Sequence, residues 1–322
     1  MGSKIKALAI TSLAVLCTCG HIDLDAAIIY RDGKFMDAND VSTLPLEEHY
    51  NLGIAAFNIQ DWKEASKQFR IVTLNFPQVA FASETYYYLG IAYYNLEELD
   101  FANEAFNCYL KSPGHPKYFQ DAVEYKLAIA DMFAGGAKKR LLGYKKLPKW
   151  MPATSMAIEI YDEIISILPC HELAAQALYA KGCYLYEKKD YRESADTFQI
   201  LIRRFPKHEL TPESYLAINR IYLKQCQSEF QNPDIITLAQ INTRKFKQAF
   251  PREERVAQAE ADVMAIKEIY ARGLYEIGRF YERTKKPKAS IIYYENAISQ
   301  FPDTAIAQLC RDRLCVLQGA NT

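Results

Sequence analysis

Apolar residues recur along most of this chain at steps of three and four, the period of helices that bury one face. The runs stop at Pro77, Pro116, Pro169, Pro206, Pro251 and Pro302, as expected of a residue that cannot continue a helix. Inside the runs one interval repeats. Gly53 to Pro77, Gly182 to Pro206 and Gly278 to Pro302 each span 24 residues, and Gly90 to the Pro113-Gly114-His115-Pro116 turn nearly repeats it. Between glycine and proline the same residue types return: Ala65 and Phe69, Ala102 and Phe106, Ser194 and Phe198, Ser290 and Tyr294. The pattern predicts helix pairs. Glycine on the first helix and a small residue on the second let the two approach closely. The aromatic one turn later fills the gap between neighbouring pairs.

A period in the thirties with these landmarks is the signature of tetratricopeptide repeats. The expected fold is all-α, a right-handed solenoid of about five to six helix pairs. The first pair runs from about Pro45 to Pro77 and the second from about Phe81 to Pro116. The third is stretched: a helix over Gln120 to Phe133, then Gly135-Gly136 and a basic insert, then a second helix from Ala153 through Tyr161 and Ile164. Glu172 to Pro206 is the fourth. A divergent fifth joins Pro212–Phe230 to a helix near Asp234–Phe250, the sixth runs from about Ala259 to Pro302, and a capping helix ends near Leu317. This divides the chain into N-terminal repeats (45–134), a basic insert loop (135–152), middle repeats (153–251) and a last repeat with its cap (252–322).

The first 44 residues do not share the period. Lys4 and Lys6 precede the apolar run Ala7 to Leu16, and Cys17-Thr18-Cys19-Gly20 follows. A basic start and a short apolar stretch describe an export signal over residues 1–19, too short for a spanning helix. Its cysteine ending points to lipoprotein processing with Cys19 acylated, Cys17 being the alternative; simple secretion and an unprocessed leader remain open. Residues 20–44 carry five aspartates and a hairpin signal at Asp32-Gly33, and read as a tether between anchor and repeats.

Lys+Arg and Asp+Glu both number 39, so the chain has no overall field that would favour nucleic acid. The basic cluster is Lys138-Lys139-Arg140, Lys145-Lys146 and Lys149-Trp150. It is either a solvated loop or a contact for anionic head groups or a partner. His21, His49, His115, His171 and His208 lack metal spacing, and the cysteines form no C-x-x-C. Neither a phosphate loop nor a nucleophile motif occurs. No catalytic residue, metal, cofactor or small-molecule substrate is expected.

The first helix of each pair should line the inner surface. In the first pair its inward positions are Glu47, Tyr50, Ile54, Phe57 and Asn58; in the second they are Glu84, Tyr87, Ile91, Tyr94 and Asn95. The two sets are nearly the same: acid, tyrosine, isoleucine, aromatic, asparagine. Stacked aromatic rows with an amide at one end suit an extended peptide, whose backbone an asparagine can both donate to and accept from. The competing reading is that these rings pack between adjacent helices. The fourth pair gives Gln176, Tyr179, Cys183, Tyr186 and Glu187. In the sixth, Arg272, Tyr275, Arg279 and Arg283 form either a second, carboxylate-binding interaction face or a solvated one.

With these features assembled, the chain resembles BamD-type outer-membrane assembly lipoproteins. Trp62-Lys63-Glu64-Ala65, Leu74-Asn75-Phe76-Pro77 and Ala92-Tyr93-Tyr94 look like that family's first two repeats. His115-Pro116 followed by Ala122, Tyr125 and a glycine-containing insert looks like its third, and Ala265 to Arg283 with Phe301-Pro302-Asp303-Thr304 like its last. The chain departs from the family in holding six repeats where five are usual, and in its lipid box. The resemblance implies a lipid-anchored, non-enzymatic scaffold on the periplasmic face of the outer membrane. Its partners would be a BamA-type β-barrel insertase and unfolded outer-membrane clients, held by their aromatic-ended C-terminal signal. Two other classes stay open: a periplasmic scaffold for cell-envelope machinery, and a cytosolic secretion chaperone.

Overall fold

The computed structural model describes residues 28–31, 34–37, 40–77, 82–113, 116–141, 148–228, 232 and 234–319. Cys17 and Cys19 with the whole leader, and Lys145-Lys146 of the insert, lie outside the described residues. The chain forms two compact units, Met1–Phe119 and Gln120–Thr322.

The first unit holds a hairpin, β1 (Ile28–Arg31) and β2 (Lys34–Asp37), with Arg31 opposite Lys34. The sequence places a turn between these two residues; Asp32 and Gly33 themselves lie outside the described residues. Four helices follow: α1 (Leu46–Asn58), α2 (Trp62–Asn75), α3 (Ala82–Asn95) and α4 (Leu99–Leu110). They pack in sequence order, α1 on α2, α2 on α3, α3 on α4.

The second unit begins with α5 (Phe119–Ala134), whose first residue closes the first unit. The insert read as a loop is in part a two-stranded antiparallel ribbon of β3 (Lys138–Arg140) and β4 (Lys149–Pro152). Trp150 of β4 is an exposed apolar residue there, 71% accessible. Then come α6 (Thr154–Ile167), α7 (Glu172–Glu187), α8 (Tyr191–Arg204), α9 (Leu210–Ser228), α10 (Asp234–Ala249), α11 (Arg255–Arg283), α12 (Pro287–Gln300) and α13 (Ala305–Gly319).

Four pairs are built alike. A Cβ added to Gly53 would lie 2.6 Å from the Phe69 ring, to Gly90 2.7 Å from Phe106, to Gly182 2.7 Å from Phe198, and to Gly278 2.5 Å from Tyr294. The aromatic therefore occupies the side-chain space that glycine leaves empty in its own pair, rather than only the gap between pairs. It reaches the next pair as well: Phe69 stacks on Tyr88 at 5.8 Å. Where the small residue is serine, it adds a buried bond across the pair, Ser194 Oγ donating to Gly182 O at 2.7 Å and Ser290 Oγ to Gly278 O at 2.9 Å.

The turn inside each of these pairs also repeats. Gln60, Glu97, Lys189 and Lys285, each seven residues after its glycine, adopt φ of 61°, 57°, 65° and 56°. The next N–H in each case reaches back five residues, as in Asp61 N to Ala56 O at 2.9 Å and Asp190 N to Leu185 O at 3.0 Å. This is the Schellman closure of a helix C-terminus, made here without glycine at the left-handed position. Asp61 and Asp190 then cap the following helix by accepting from Glu64 N and Glu193 N. At the other end the helices stop at Phe76, Phe205 and Phe301, one residue before the proline.

The fifth pair, α9 with α10, lacks the glycine and uses polar bonds. Asn219 Nδ2 donates to Thr243 Oγ1 at 2.6 Å and Ala259 O at 3.0 Å, and Asn242 Nδ2 donates to Tyr215 O at 2.8 Å and Asn219 Oδ1 at 2.9 Å. The third partner in that network explains the 29-residue length of α11. Its first half closes the fifth pair, with Val256 and Ala259 against Tyr215 and Phe246. Its second half carries Gly278 and pairs with α12.

Candidate interaction surfaces

In the first unit the expected aromatic row separates into two classes. Tyr87 and Ile91 are 7% and 8% accessible and belong to the core. Tyr87 stacks on Tyr118 at 4.5 Å and meets Phe106 and Tyr109. For these two the packing reading holds, and they offer no surface to a ligand. The burial of Tyr87 follows from its neighbours, because the turn after α4 brings Tyr118 over its ring. Tyr50, Ile54, Phe57, Glu84 and Tyr94 are half-buried, while Glu47, Asn58 and Asn95 are exposed. Phe57 lies edge-on to Trp62 at 5.3 Å and to Tyr88 at 5.2 Å, and Tyr50 is 6.3 Å from Phe69. Asn95 Nδ2 donates to Ile91 O at 2.9 Å, which fixes the amide against its own helix. Burial, with the Glu84 charge behind it, raises the Tyr50 phenol's pKa, so this strip presents neutral rings beside carboxylates.

In the second unit the arginine set lies along the second half of α11. Arg272 and Arg283 are exposed. Arg279 donates to Tyr275 Oη at 3.2 Å and covers its ring at 5.9 Å. Glu282 on the same face accepts from Tyr294 Oη at 2.9 Å and from Arg313 of α13. The capping helix thus claims Glu282 of this face, while exposed Glu276 stays near Arg279.

Sequence reasoning missed a cleft of about 480 Å³ on the second unit, lined by Gln120, Glu124, Leu127, His171, Glu172, Leu173 and Gln176. Its walls are the N-terminal halves of α5 and α7. Each presents a glutamine–glutamate pair one turn apart, Gln120 to Glu124 at 3.0 Å and Gln176 to Glu172 at 3.1 Å. The His208 ring bonds Glu172 Oε2 at 2.7 Å and holds that carboxyl below its ordinary range. The repeat pattern puts Gln176 on the inner face and assigns no inner-face residue to α5, whose repeat the insert interrupts. The lining sets these amides and carboxylates beside Leu127 and Leu173, so it offers apolar contact as well as polar groups.

The cysteines behave as packing residues where they are buried. Burial raises the thiol pKa at Cys108, Cys183 and Cys226, and pushes Cys310 up to about 11. Among the described residues, no three His, Cys, Asp or Glu side chains are grouped to hold a metal ion, and no helix is long and apolar enough to cross a membrane.

Two stretches, residues 176–208 and 272–304, match the family model for the tetratricopeptide repeat. They coincide with α7–α8 and with the second half of α11 plus α12. No curated protein matches the chain by sequence. Among solved structures, a TPR repeats protein from Bacteroides fragilis is similar at 14% identity and TM-score 0.41, covering 85% of this chain and 100% of its own. A tetratricopeptide repeat protein from Parabacteroides merdae is similar at 13% identity and TM-score 0.35, covering 85% and 98%. MamA from Desulfovibrio magneticus is similar at 14% identity and TM-score 0.34, covering 65% and 97%. The matched segments and the recurring glycine–aromatic pairs make the fold an all-α one of tetratricopeptide-repeat type.

Proposed function

We propose that the protein is a non-enzymatic interaction scaffold that holds an extended segment of another protein along the first helices of its pairs. The observation that carries this is the strip in the first unit where the half-buried rings of Tyr50, Phe57 and Tyr94 lie beside exposed Glu47, Asn58 and Asn95. Rings give sequence-tolerant contact area and amides engage a backbone. In its finer form the reading is a lipoprotein anchored through Cys19 (or Cys17) on the periplasmic face of the outer membrane. There it binds outer-membrane clients and a BamA-type insertase. The leader and the family-like segments support that form. The basic face at Arg272, Arg279 and Arg283 is the candidate for a second, anionic partner.

The test is a fluorescence titration of a synthetic ten-residue peptide with alternating apolar residues and a C-terminal phenylalanine. The double variant Asn58→Ala/Asn95→Ala should weaken binding about tenfold, the loss of one or two backbone bonds. Unchanged affinity would remove the strip as the binding surface. Mass spectrometry of the mature N-terminus decides the anchor: a diacylated cysteine supports it and an intact Met1 refutes it. Co-purification of a wall enzyme in place of a barrel insertase would move the protein to envelope machinery of another kind.

A further inference from the structure

Residues 40–44 are held against the first helix pair by a histidine–arginine–asparagine trio that the other glycine-marked pairs do not repeat. Arg70 Nε donates to Asp40 Oδ2 at 2.9 Å, and its Nη1 lies 3.5 Å from Tyr93 Oη. The Asn75 carboxamide engages the backbone from both of its ends. Its Nδ2 donates to Asp40 O at 2.8 Å, and its Oδ1 accepts from Ser42 N at 3.3 Å. Leu44 N donates to His49 Nε2 at 3.2 Å. His49 is 2% accessible, and its other nitrogen meets Gln68 Oε1 at 2.6 Å, so the ring is set as an acceptor toward the segment. One carboxylate, one carbonyl and two alternate N–H groups are thereby recognised.

Counted from the landmark glycine, the positions of His49, Arg70 and Asn75 are Tyr86, Asn107 and Ser112 in the second pair, Leu178, Gln199 and Arg204 in the fourth, and Leu274, Glu295 and Gln300 in the sixth. The trio is therefore not a shared requirement of the repeat's packing. The segment it holds contributes little apolar anchorage: Leu44 is 40% accessible and Thr43 is exposed. The Arg70–Asp40 ion pair is only partly covered, with side chains 29% and 15% accessible, so solvent reaches it from one side.

We propose that this face of α1 and α2 is a peptide-binding site that reads a carboxylate and a backbone, and that residues 40–44 fill it as an exchangeable intramolecular ligand. In trans it takes an acidic segment of another protein, with aspartate at the first position and no proline at the third or fifth, where an N–H is required. The site is separate from the aromatic strip, and its test does not depend on that reading. Displacing residues 40–44 frees the tether next to the first repeat when a partner docks.

The experiment titrates a fluorescent peptide covering residues 38–44 into the full chain. Asp40→Ala weakens the internal ligand and should tighten peptide binding about tenfold, the worth of one charge-assisted contact. Adding Asn75→Ala to that variant should abolish the gain, with far-UV circular dichroism confirming retained helicity. A peptide with proline in place of Ser42 tests the same point without touching the protein fold, and should bind at least tenfold more weakly to Asp40→Ala. Equal binding of the peptide to the wild type and Asp40→Ala chains, or equal binding of the proline peptide, would show residues 40–44 to be a fixed strap and overturn the proposal.

Discussion

The ring-on-glycine contact yields the sharpest quantitative test, at Gly182. In an exposed helix, Gly→Ala stabilises by about 1 kcal/mol through helix propensity. At Gly182 the added methyl would lie 2.7 Å from Phe198 Cζ and 2.9 Å from Cε2. Carbon atoms in contact settle at about 3.5–4 Å, so the ring must retreat by roughly 1 Å. Phe198 is 1% accessible and packs in a core with Ile218, Ile221 and Ala195, so it has no open space to enter. Overpacking of this kind costs about 1–3 kcal/mol. A second loss falls on Ser194, whose Oγ donates to the Gly182 carbonyl. Any separation of α7 from α8 stretches that bond. The net expectation for Gly182→Ala is a destabilisation of about 1–2 kcal/mol, read as a lower urea midpoint for the second unit by far-UV circular dichroism. The mechanism is isolated by a double-mutant cycle with Phe198→Leu. The smaller side chain makes room for the methyl, so the double variant should be more stable than the sum of the singles by about 1 kcal/mol or more. A stabilised Gly182→Ala, or strict additivity, would refute the steric account and leave propensity in control.

Two further outcomes follow from charges in the second unit. Asp262 is 6% accessible, its Oδ2 has no partner, and burial raises its pKa against the opposing bond from Gln258. A carboxyl with a raised folded pKa binds its proton more tightly folded than unfolded, so its ionisation penalty appears as pH rises above the ordinary carboxylate range. Asp262→Asn should therefore stabilise at pH 7 by about 1 kcal/mol, and urea midpoints of variant and parent should converge near pH 3. A constant difference across pH would count against it. Lys126 is fully buried and its Nζ contacts Glu163 Oε2 at 2.6 Å, with Glu163 itself 44% accessible. Glu163→Gln should cost about 1–2 kcal/mol, less than a fully buried pair because water reaches the carboxylate. Replacing Lys126 by methionine in that background should restore most of it.

How much of this was legible beforehand depends on which kind of contact carries each element. The glycine, serine and proline landmarks are steric and local, so their spacing alone located the helix pairs at Gly53, Gly90, Gly182 and Gly278. The inward face was harder. Helical spacing places Tyr87 and Tyr50 on equivalent positions, yet Tyr118, outside the repeat grammar, stacks on Tyr87, which is 7% accessible while Tyr50 is half-buried. Burial at a repeat position is decided by the next segment in space, which one repeat's period does not encode. The same holds for the fifth pair. Asn219 and Asn242 look like surface amides in sequence, and become core residues because Thr243 and the Ala259 carbonyl meet Asn219 there and the Tyr215 carbonyl meets Asn242. His49, Arg70 and Asn75 illustrate the opposite case. His49 breaks the repeat pattern visibly, and such a break is a signal in itself: a polar residue where the sister repeats carry Tyr86, Leu178 and Leu274 needs a polar partner, whereas Arg70 and Asn75 sit at positions that are polar in every sister pair and stand out only by what they bind. Departures from periodicity, more than the periodicity, are therefore where a solenoid of near-identical pairs records what each pair holds.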